Sequence, residues 1–215
     1  MTHVKICGIR DKTHALAAVE AGADFIGLVF APSKRQISPA KACDIASAVK
    51  KSSDVTKVVG VFVNAPISQI NELADSCALD WVQLSGDESW EYCQDLKKTI
   101  IKVIHVSSGR KTDEILADIE TGYQLLPAKE LVCLLDSRVG GAYGGTGQVF
   151  NWQLAREVSV RFPVMIAGGL TPANVGQLVR EVQPWGVDVS TGVESNCLKD
   201  ASKIRAFVKA VRSTH

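Results

Sequence analysis

The sequence of residues 163–194 is PVMIAGGLTPANVGQLVREVQPWGVDVSTGVE. It begins with a short apolar run that ends in two glycines, continues with a segment of helical periodicity, and finishes with a second β-branched run. In the middle segment Val175, Leu178, Val179 and Val182 form one apolar face. Strand, helix and strand in this order predict two parallel strands, because parallel neighbours need a crossover connection.

The same alternation runs through the remainder of the chain. The predicted strands are Val4–Cys7, Phe25–Phe30, Lys57–Phe62, Trp81–Leu84, Ile101–Val106, Leu131–Asp136, Pro163–Ala167 and Val187–Ser190. Two more helical faces are formed by Ile67, Ile70, Leu73 and Cys77, and by Ala201, Ile204, Phe207, Val208 and Val211. Ser38-Pro39 and Thr171-Pro172 predict helix starts, since each places a capping hydroxyl before a proline, and Gly22 predicts a helix end.

These elements predict the α/β class, because strands that alternate with helices form parallel sheets. An open, doubly wound sheet shows the same alternation. The number of strands and the absence of a linker favour a closed (β/α)8 TIM barrel, with residues 1–215 as a single catalytic domain. In this fold the active site lies on the loops that follow the C-terminal ends of the strands.

Composition argues against several classes of function. The 215 residues carry a formal net charge of +1, which favours neither nucleic acid nor a membrane surface as a partner. The start of the chain lacks the pattern of a signal peptide, and no apolar run approaches the roughly 18 residues of a membrane span. We expect a cytoplasmic monomer whose near-neutral net charge is still compatible with a small anionic ligand.

Six cysteines lie at positions 7, 43, 77, 93, 133 and 197, without CxxC spacing. In a cytoplasmic protein this pattern predicts reduced, mostly buried thiols. The histidines at positions 3, 14, 105 and 215 do not cluster with them, so no metal site is predicted.

A phosphate site is predicted after the last two strands. Gly168-Gly169 follows the seventh strand and Ser190-Thr191-Gly192 ends the eighth. Small residues at these points fit tight turns, but they also expose backbone N–H groups and hydroxyls at the place where barrels of this fold bind phosphate. The glycine-rich run 140–147 has no nucleotide-motif spacing, and we interpret it as an active-site loop, although a plain solvent loop fits its composition equally.

Cys7 and Asp136 each end a predicted strand, and they are candidate proton-transfer residues. A strand cysteine is usually inert, but alternation places Lys5 on the same face as Cys7. A nearby cation and the N-terminus of the following helix would both favour a thiolate, which is either a nucleophile or a base. Asp136 precedes the glycine-rich run rather than a helix, and partial burial at a barrel mouth would raise its pKa for general-acid work.

Strand order makes a further prediction about Lys5. In a closed barrel the eighth strand pairs with the first, so Asp188 becomes the nearest inner carboxylate. Because an unpaired buried ammonium is costly, we predict an ion pair inside the barrel, with Cys7, Asp136 and Asp188 converging at its C-terminal mouth. If the faces are reversed, Lys5 instead reaches solvent between the helices.

Lys34-Arg35 follows the second strand. Such a charge pair is usually just solvated, but at a catalytic face an arginine offers a bidentate fork for a carboxylate.

Nearly the whole chain resembles the phosphoribosylanthranilate isomerase family. The matching stretches are Lys5–Gly8, Gly27–Phe30, Ser33–Ser38, Gly60–Asn64, Val82–Leu84, Leu135–Ser137, Gly144–Gly147, Ala167–Leu170 with Asn174, and Gly186–Glu194. The resemblance implies an Amadori rearrangement of N-(5-phosphoribosyl)anthranilate to 1-(2-carboxyphenylamino)-1-deoxyribulose 5-phosphate, a step of tryptophan biosynthesis that needs no cofactor or metal.

The resemblance also implies roles for single residues. Asp136 would protonate the furanose ring oxygen, and Cys7 would remove the proton from C2. Arg35 would hold the anthranilate carboxylate, and Asp188 would lie near the anilinic nitrogen. The phosphate would be bound by Gly168, Gly169, Ser190, Thr191 and Gly192.

Two departures limit this assignment. Ser85 stands where many family members have histidine, so that histidine's role is not carried over. The second loop contains Pro-Ser-Lys-Arg instead of the commoner Ser-Pro-Arg, which leaves open whether Lys34 or Arg35 meets the carboxylate. Two alternatives also stay open: a barrel enzyme similar to indole-3-glycerol-phosphate synthase, and a non-catalytic barrel that binds a phosphate ligand. The first relies on a lysine acid and glutamates, and the second needs neither Cys7 nor Asp136.

Overall fold

The computed structural model describes residues 1–107, 109–127, 130–137 and 151–214. Eight parallel strands form a closed barrel in chain order. They are β1 (His3–Cys7), β2 (Phe25–Val29), β3 (Lys57–Phe62), β4 (Trp81–Leu84), β5 (Thr99–Val106), β6 (Leu131–Ser137), β7 (Val164–Ala167) and β8 (Gly186–Val189). The predicted barrel is confirmed, and each strand end lies within two residues of its predicted place.

Helices surround the barrel. They are α1 (Lys12–Glu20), α2 (Pro39–Ser52), α3 (Ile67–Ser76), α4 (Thr112–Leu125), α5 (Trp152–Ser159), α6 (Val175–Val182) and α7 (Ala201–Arg212). Between β4 and β5 the chain forms a 3₁₀ turn, Glu91–Asp95, where the other crossovers carry an α-helix. A two-stranded ribbon of β9 (Glu194–Ser195) and β10 (Leu198–Lys199) precedes α7.

Two of the three helix-end predictions are confirmed. The Ser38 side chain accepts a hydrogen bond from the Lys41 N–H at the start of α2, and Gly22 takes a positive φ of 88° just after α1. The third is wrong, because α6 begins at Val175 instead of Pro172. Asn174 is the reason: its side chain accepts from the Thr171 N–H and donates to the Gly169 carbonyl, which holds residues 171–174 in a turn.

Side chains that alternate along each strand build two apolar layers. One face packs against the helices, as Val4 and Ile6 do in β1. The other fills the lower barrel interior, where Phe25 meets Trp81 edge to face at 5.2 Å between ring centres. With its N-terminal half filled in this way, the barrel has room for a ligand at its C-terminal end.

The cysteine prediction is wrong at one pair. Cys43 in α2 and Cys77 at the end of α3 form a disulfide across 34 residues of sequence. Only the packing of these two helices brings the thiols together, so spacing gave no sign of it. Cys7, Cys93 and Cys133 are free and buried as predicted, whereas Cys197 is free and exposed. Within the described ranges, no helix is long and apolar enough to cross a membrane.

Candidate functional site

The C-terminal ends of the strands surround a cavity of about 390 Å³. This volume lies within the range of small-ligand sites. Cys7 from β1, Asp136 from β6 and Asp188 from β8 all line it. The predicted convergence of these three side chains at the barrel mouth is therefore confirmed.

Lys5 and Asp188 form the ion pair that strand order predicts. They face each other in the β1–β8 register, and the Lys5 Nζ donates to Asp188 Oδ1 at 2.9 Å. The Lys5 side chain is fully buried. Burial would lower the pKa of Lys5, but its attraction to Asp188 and Cys7 outweighs this effect and raises the pKa. The ammonium is therefore a permanent charge beneath the cavity.

The Cys7 thiol is packed into the cavity wall and is more weakly acidic than expected. It faces Gly27 of β2, where a Cβ atom would come within 2.9 Å of Cys7 Sγ. Burial raises the pKa of Cys7 and outweighs the opposing effect of Lys5. The expectation of a favoured thiolate is thus wrong in its net direction. The helix N-terminus is not adjacent either, since α1 begins at Lys12 and its first turn is capped by Asp11.

Asp136 lies near the end of β6, where it is partly buried and lines the cavity. Its partner in the β5–β6 register is His105, whose ring also lines the cavity. A raised pKa for this carboxyl group stays a prediction. The glycine-rich run 140–147 lies outside the described residues.

The turns after β7 and β8 meet at one side of the cavity. Gly168 and Gly169 both take positive φ, 97° and 65°, so the turn needs residues without a Cβ atom. Both glycines line the cavity together with Ser190 and Thr191. Gly192 is a close-packing position, because a Cβ atom there would lie 1.8 Å from the Leu170 carbonyl oxygen. This arrangement brings the glycine turn after β7 and the hydroxyl-bearing Ser190 and Thr191 to the same side of the cavity, where the anion site is predicted.

Arg35, not Lys34, lies at the cavity. The Lys34 side chain is exposed, whereas Arg35 lines the cavity. The guanidinium group is already engaged on one edge: its Nε and Nη2 donate to the two carboxylate oxygens of Glu194 at 2.7 and 2.9 Å. Glu194 lies in the matching stretch Gly186–Glu194 but was assigned no role from sequence, and its partner Lys199 was not identified from sequence at all.

Gln83 was likewise quoted in a matching stretch, Val82–Leu84, without a role. It lies on the inner face of β4, almost fully buried, and lines the cavity. Its Nε2 donates to Ser85 Oγ at 3.0 Å, while its Oε1 has no hydrogen-bond partner in the described part of the chain. The signal was a polar residue at an inward position of an otherwise apolar strand.

One wall of the cavity is apolar. Cys7 packs there with Val29 of β2, Ala31 of the loop after β2 and Val61 of β3, and Val63 lies against them. Cys7 and Arg35 line the same cavity as this surface, which suits a flat, apolar part of a ligand. Elsewhere in the described ranges, no group of three or more His, Cys, Asp or Glu side chains is placed to hold a metal ion.

Comparison with known proteins agrees with this geometry. The profile of the N-(5'-phosphoribosyl)anthranilate (PRA) isomerase family matches residues 4–210. The chain belongs to this family. The N-(5'-phosphoribosyl)anthranilate isomerase of Roseiflexus sp. (strain RS-1) is 47% identical over an alignment of 218 positions that covers 99% of each chain.

Solved structures of the family superpose on the whole barrel. The phosphoribosyl anthranilate isomerase of Thermotoga maritima is 35% identical, with a TM-score of 0.84, and the match covers 99% of this chain and 100% of that one. A family structure in complex with reduced 1-(o-carboxyphenylamino)-1-deoxyribulose 5-phosphate matches at 35% identity, with a TM-score of 0.81 and the same coverage.

Proposed function

We propose that this chain catalyses the Amadori rearrangement of N-(5-phosphoribosyl)anthranilate to 1-(2-carboxyphenylamino)-1-deoxyribulose 5-phosphate, a step of tryptophan biosynthesis. One observation carries the proposal: in a chain of this family, Cys7 and Asp136 line a single cavity that also holds the turns after β7 and β8. A base, an acid and an anion site then surround one small ligand. A relative with this fold binds a reduced form of the same product.

The cavity accommodates the three parts of this substrate. The phosphate lies at the turns of Gly168-Gly169 and Ser190-Thr191-Gly192, where the barrel fold places phosphate. The anthranilate ring packs on the valine wall beside Cys7, and its carboxylate reaches Arg35. Asp188 is then close to the anilinic nitrogen.

Two proton transfers complete the reaction. Asp136 donates its proton to the furanose ring oxygen, and the C1–O bond breaks to give a protonated Schiff base. The Cys7 thiolate removes the proton from C2, so that the electron pair moves to the iminium nitrogen and an enolamine forms. Tautomerisation of the enolamine gives the ketone, and no external oxidant or reductant takes part.

The raised pKa of Cys7 fits a base that is activated by its substrate. Burial favours the protonated thiol, while Lys5 and Lys199 act in the opposite direction. A Schiff-base cation above the thiol adds a further positive charge, which favours release of the thiol proton to solvent, and the thiolate that remains takes the proton from C2.

Gln83 gives the cavity a hydrogen-bond acceptor. Since a buried, unpaired carboxamide oxygen is costly, a substrate hydroxyl or N–H that meets Gln83 Oε1 gains more than it would in water. We propose that this oxygen contacts the sugar part of the substrate.

Substitution of the acid and the base tests the proposal. Turnover is followed by the loss of anthranilate-derivative fluorescence from the substrate. Cys7→Ser and Asp136→Asn should each lower kcat by about 10²- to 10⁴-fold with smaller effects on KM, because each group acts in the transition state. Arg35→Ala should mainly raise KM.

Cys133→Ala is the matched control, since Cys133 is a buried strand thiol that packs in the layer between the barrel and the helices. Its kcat should stay near that of the unchanged enzyme. Near-normal turnover of Cys7→Ser would exclude the thiol as the base. If the wild-type protein binds the product analogue but never turns over the substrate, the non-catalytic alternative is supported instead.

We also propose that residues 1–215 act as one catalytic domain, as a monomer and in the cytoplasm. The location is supported by the biosynthetic reaction, while the Cys43–Cys77 disulfide is a bond that a reducing compartment opposes. Sedimentation gives the oligomeric state, and thiol trapping in fractionated cells tests the compartment and the bond together.

A further inference from the structure

A buried network behind the cavity joins its two binding ends. Glu194 Oε1 accepts hydrogen bonds from Arg35 Nε at 2.7 Å and from Lys199 Nζ at 2.8 Å. The same ammonium donates to the carbonyl and the hydroxyl oxygen of Ser190, at 2.9 and 3.2 Å. The chain of contacts therefore runs from the arginine at the apolar wall to the turn at the anion site.

The network becomes more buried away from the cavity. The Arg35 side chain is 26% exposed, that of Glu194 is 9% exposed and that of Lys199 is 3% exposed. Hydrogen bonds from Arg35 and Lys199 overcome the effect of burial and lower the pKa of Glu194 to about 2. The carboxylate is thus a permanent charge that holds two cations in place.

The planar guanidinium group explains how Arg35 can serve two carboxylates. Glu194 occupies the edge formed by Nε and Nη2. The other edge, formed by Nη1 and the second proton of Nη2, has the same spacing of two donors and can hold a second carboxylate at the same time. Because the first contact is bidentate, it sets the plane and the direction of the second edge.

We propose that Glu194 and Lys199 are positioning residues. Glu194 fixes Arg35 so that the second edge of the guanidinium group receives the substrate carboxylate, and Lys199 links Glu194 to the Ser190 turn. The inference rests on the proposed function and deepens it. Neither residue touches the substrate. Lys199 sets the distance between the carboxylate and phosphate ends of the site by holding Glu194 and Ser190 together.

Two ligands separate positioning from a merely structural role. One is the reduced product analogue with its carboxylate, and the other is the corresponding phenylamino compound without it. Glu194→Gln should weaken binding of the first by about 10- to 100-fold, the usual effect of a lost charge-assisted contact or a misplaced group, and that of the second by less than about threefold. The KM of the substrate should rise more than kcat falls.

A double-mutant cycle with Arg35→Ala provides a second test of the positioning role. If Glu194 acts through Arg35, Glu194→Gln should have little further effect once Arg35 is absent. Lys199→Met should weaken both ligands, because both carry the phosphate. Asp24→Asn is the matched control, a carboxylate that pairs with Arg212 far from the cavity, and it should leave both dissociation constants unchanged.

The outcomes are distinct. Equal weakening of both ligands by Glu194→Gln, or the same loss in the Arg35→Ala background, would overturn the positioning role. Tighter binding of the carboxylate ligand would also overturn it, since Glu194 would then compete for Arg35. If the wild-type protein neither binds the analogue nor turns over the substrate, the proposed function itself is overturned.

Discussion

Replacing Lys5 by methionine tests how the barrel interior controls the base. The Lys5 ammonium is fully buried, pairs with Asp188 at 2.9 Å and acts electrostatically on Cys7, whose pKa it lowers against the effect of burial. Methionine has a similar length and removes only the charge. At an effective dielectric constant of about 20, a unit charge about 4 Å away contributes roughly 4 kcal/mol. Lys5→Met removes this stabilisation of the thiolate, so we expect the pKa of Cys7 to rise further.

Alkylation measures this shift directly. The rate of iodoacetamide labelling is followed against pH, and mass spectrometry of the Cys7 peptide separates it from the exposed Cys197. In Lys5→Met the midpoint for Cys7 should move to higher pH. Lys50→Met is the control, because Lys50 pairs with Asp80 on the outside of the barrel and should leave the Cys7 profile unchanged.

Folding must be checked in parallel. A buried carboxylate that loses its partner costs about 3–5 kcal/mol, so Lys5→Met should unfold at lower denaturant concentration. Lys5→Met/Asp188→Asn removes both charges and should recover part of this loss. An unchanged alkylation profile in a folded Lys5→Met protein would refute the argument, since Lys5 would then be structural only.

Three further predictions concern the rest of the barrel. The pKa of Glu194 is lowered to about 2, so its ion pairs stabilise the fold above the unfolded-state pKa and lose this effect as pH falls through about 2. The free energy of unfolding, measured by denaturation between about pH 5 and 2, should therefore fall by about 1–2 kcal/mol, allowing for solvent screening. Glu194→Gln should lack this fall. Reduction of the Cys43–Cys77 disulfide should lower the free energy of unfolding by about 3–4 kcal/mol, from its 34-residue separation, with no effect of reductant on a Cys43→Ala/Cys77→Ala protein. Gly192→Ala forces the β8 turn away from the Leu170 carbonyl oxygen, 1.8 Å from the new Cβ atom, and should raise the KM for the phosphorylated substrate by about tenfold or more, measured with the fluorescence assay.

Much of the architecture follows from local sequence. Strands of period two and helices of period 3.6 are visible in a few residues each, so the eight strands could be placed from the chain alone. The Lys5–Asp188 pair also followed from sequence, because closure of the barrel makes β1 and β8 neighbours and alternation gives the face. The positions of Cys7 and Asp136 at one mouth followed from parallel strand direction.

Tertiary structure decided what depends on distance and burial. The net pKa shift of Cys7 is a balance between desolvation and Lys5, and a sequence shows the cation but not the depth of the thiol. Glu194, which also pairs with Lys199, meets Arg35 only because the ribbon of β9 and β10 folds back toward the loop after β2. Glu194 and Arg35 are 159 positions apart in the sequence. The Cys43–Cys77 disulfide depends in the same way on how α2 and α3 pack. Local patterns determine which elements form, whereas the electrostatics of the site come from groups that only the closed barrel brings within a few ångströms of one another.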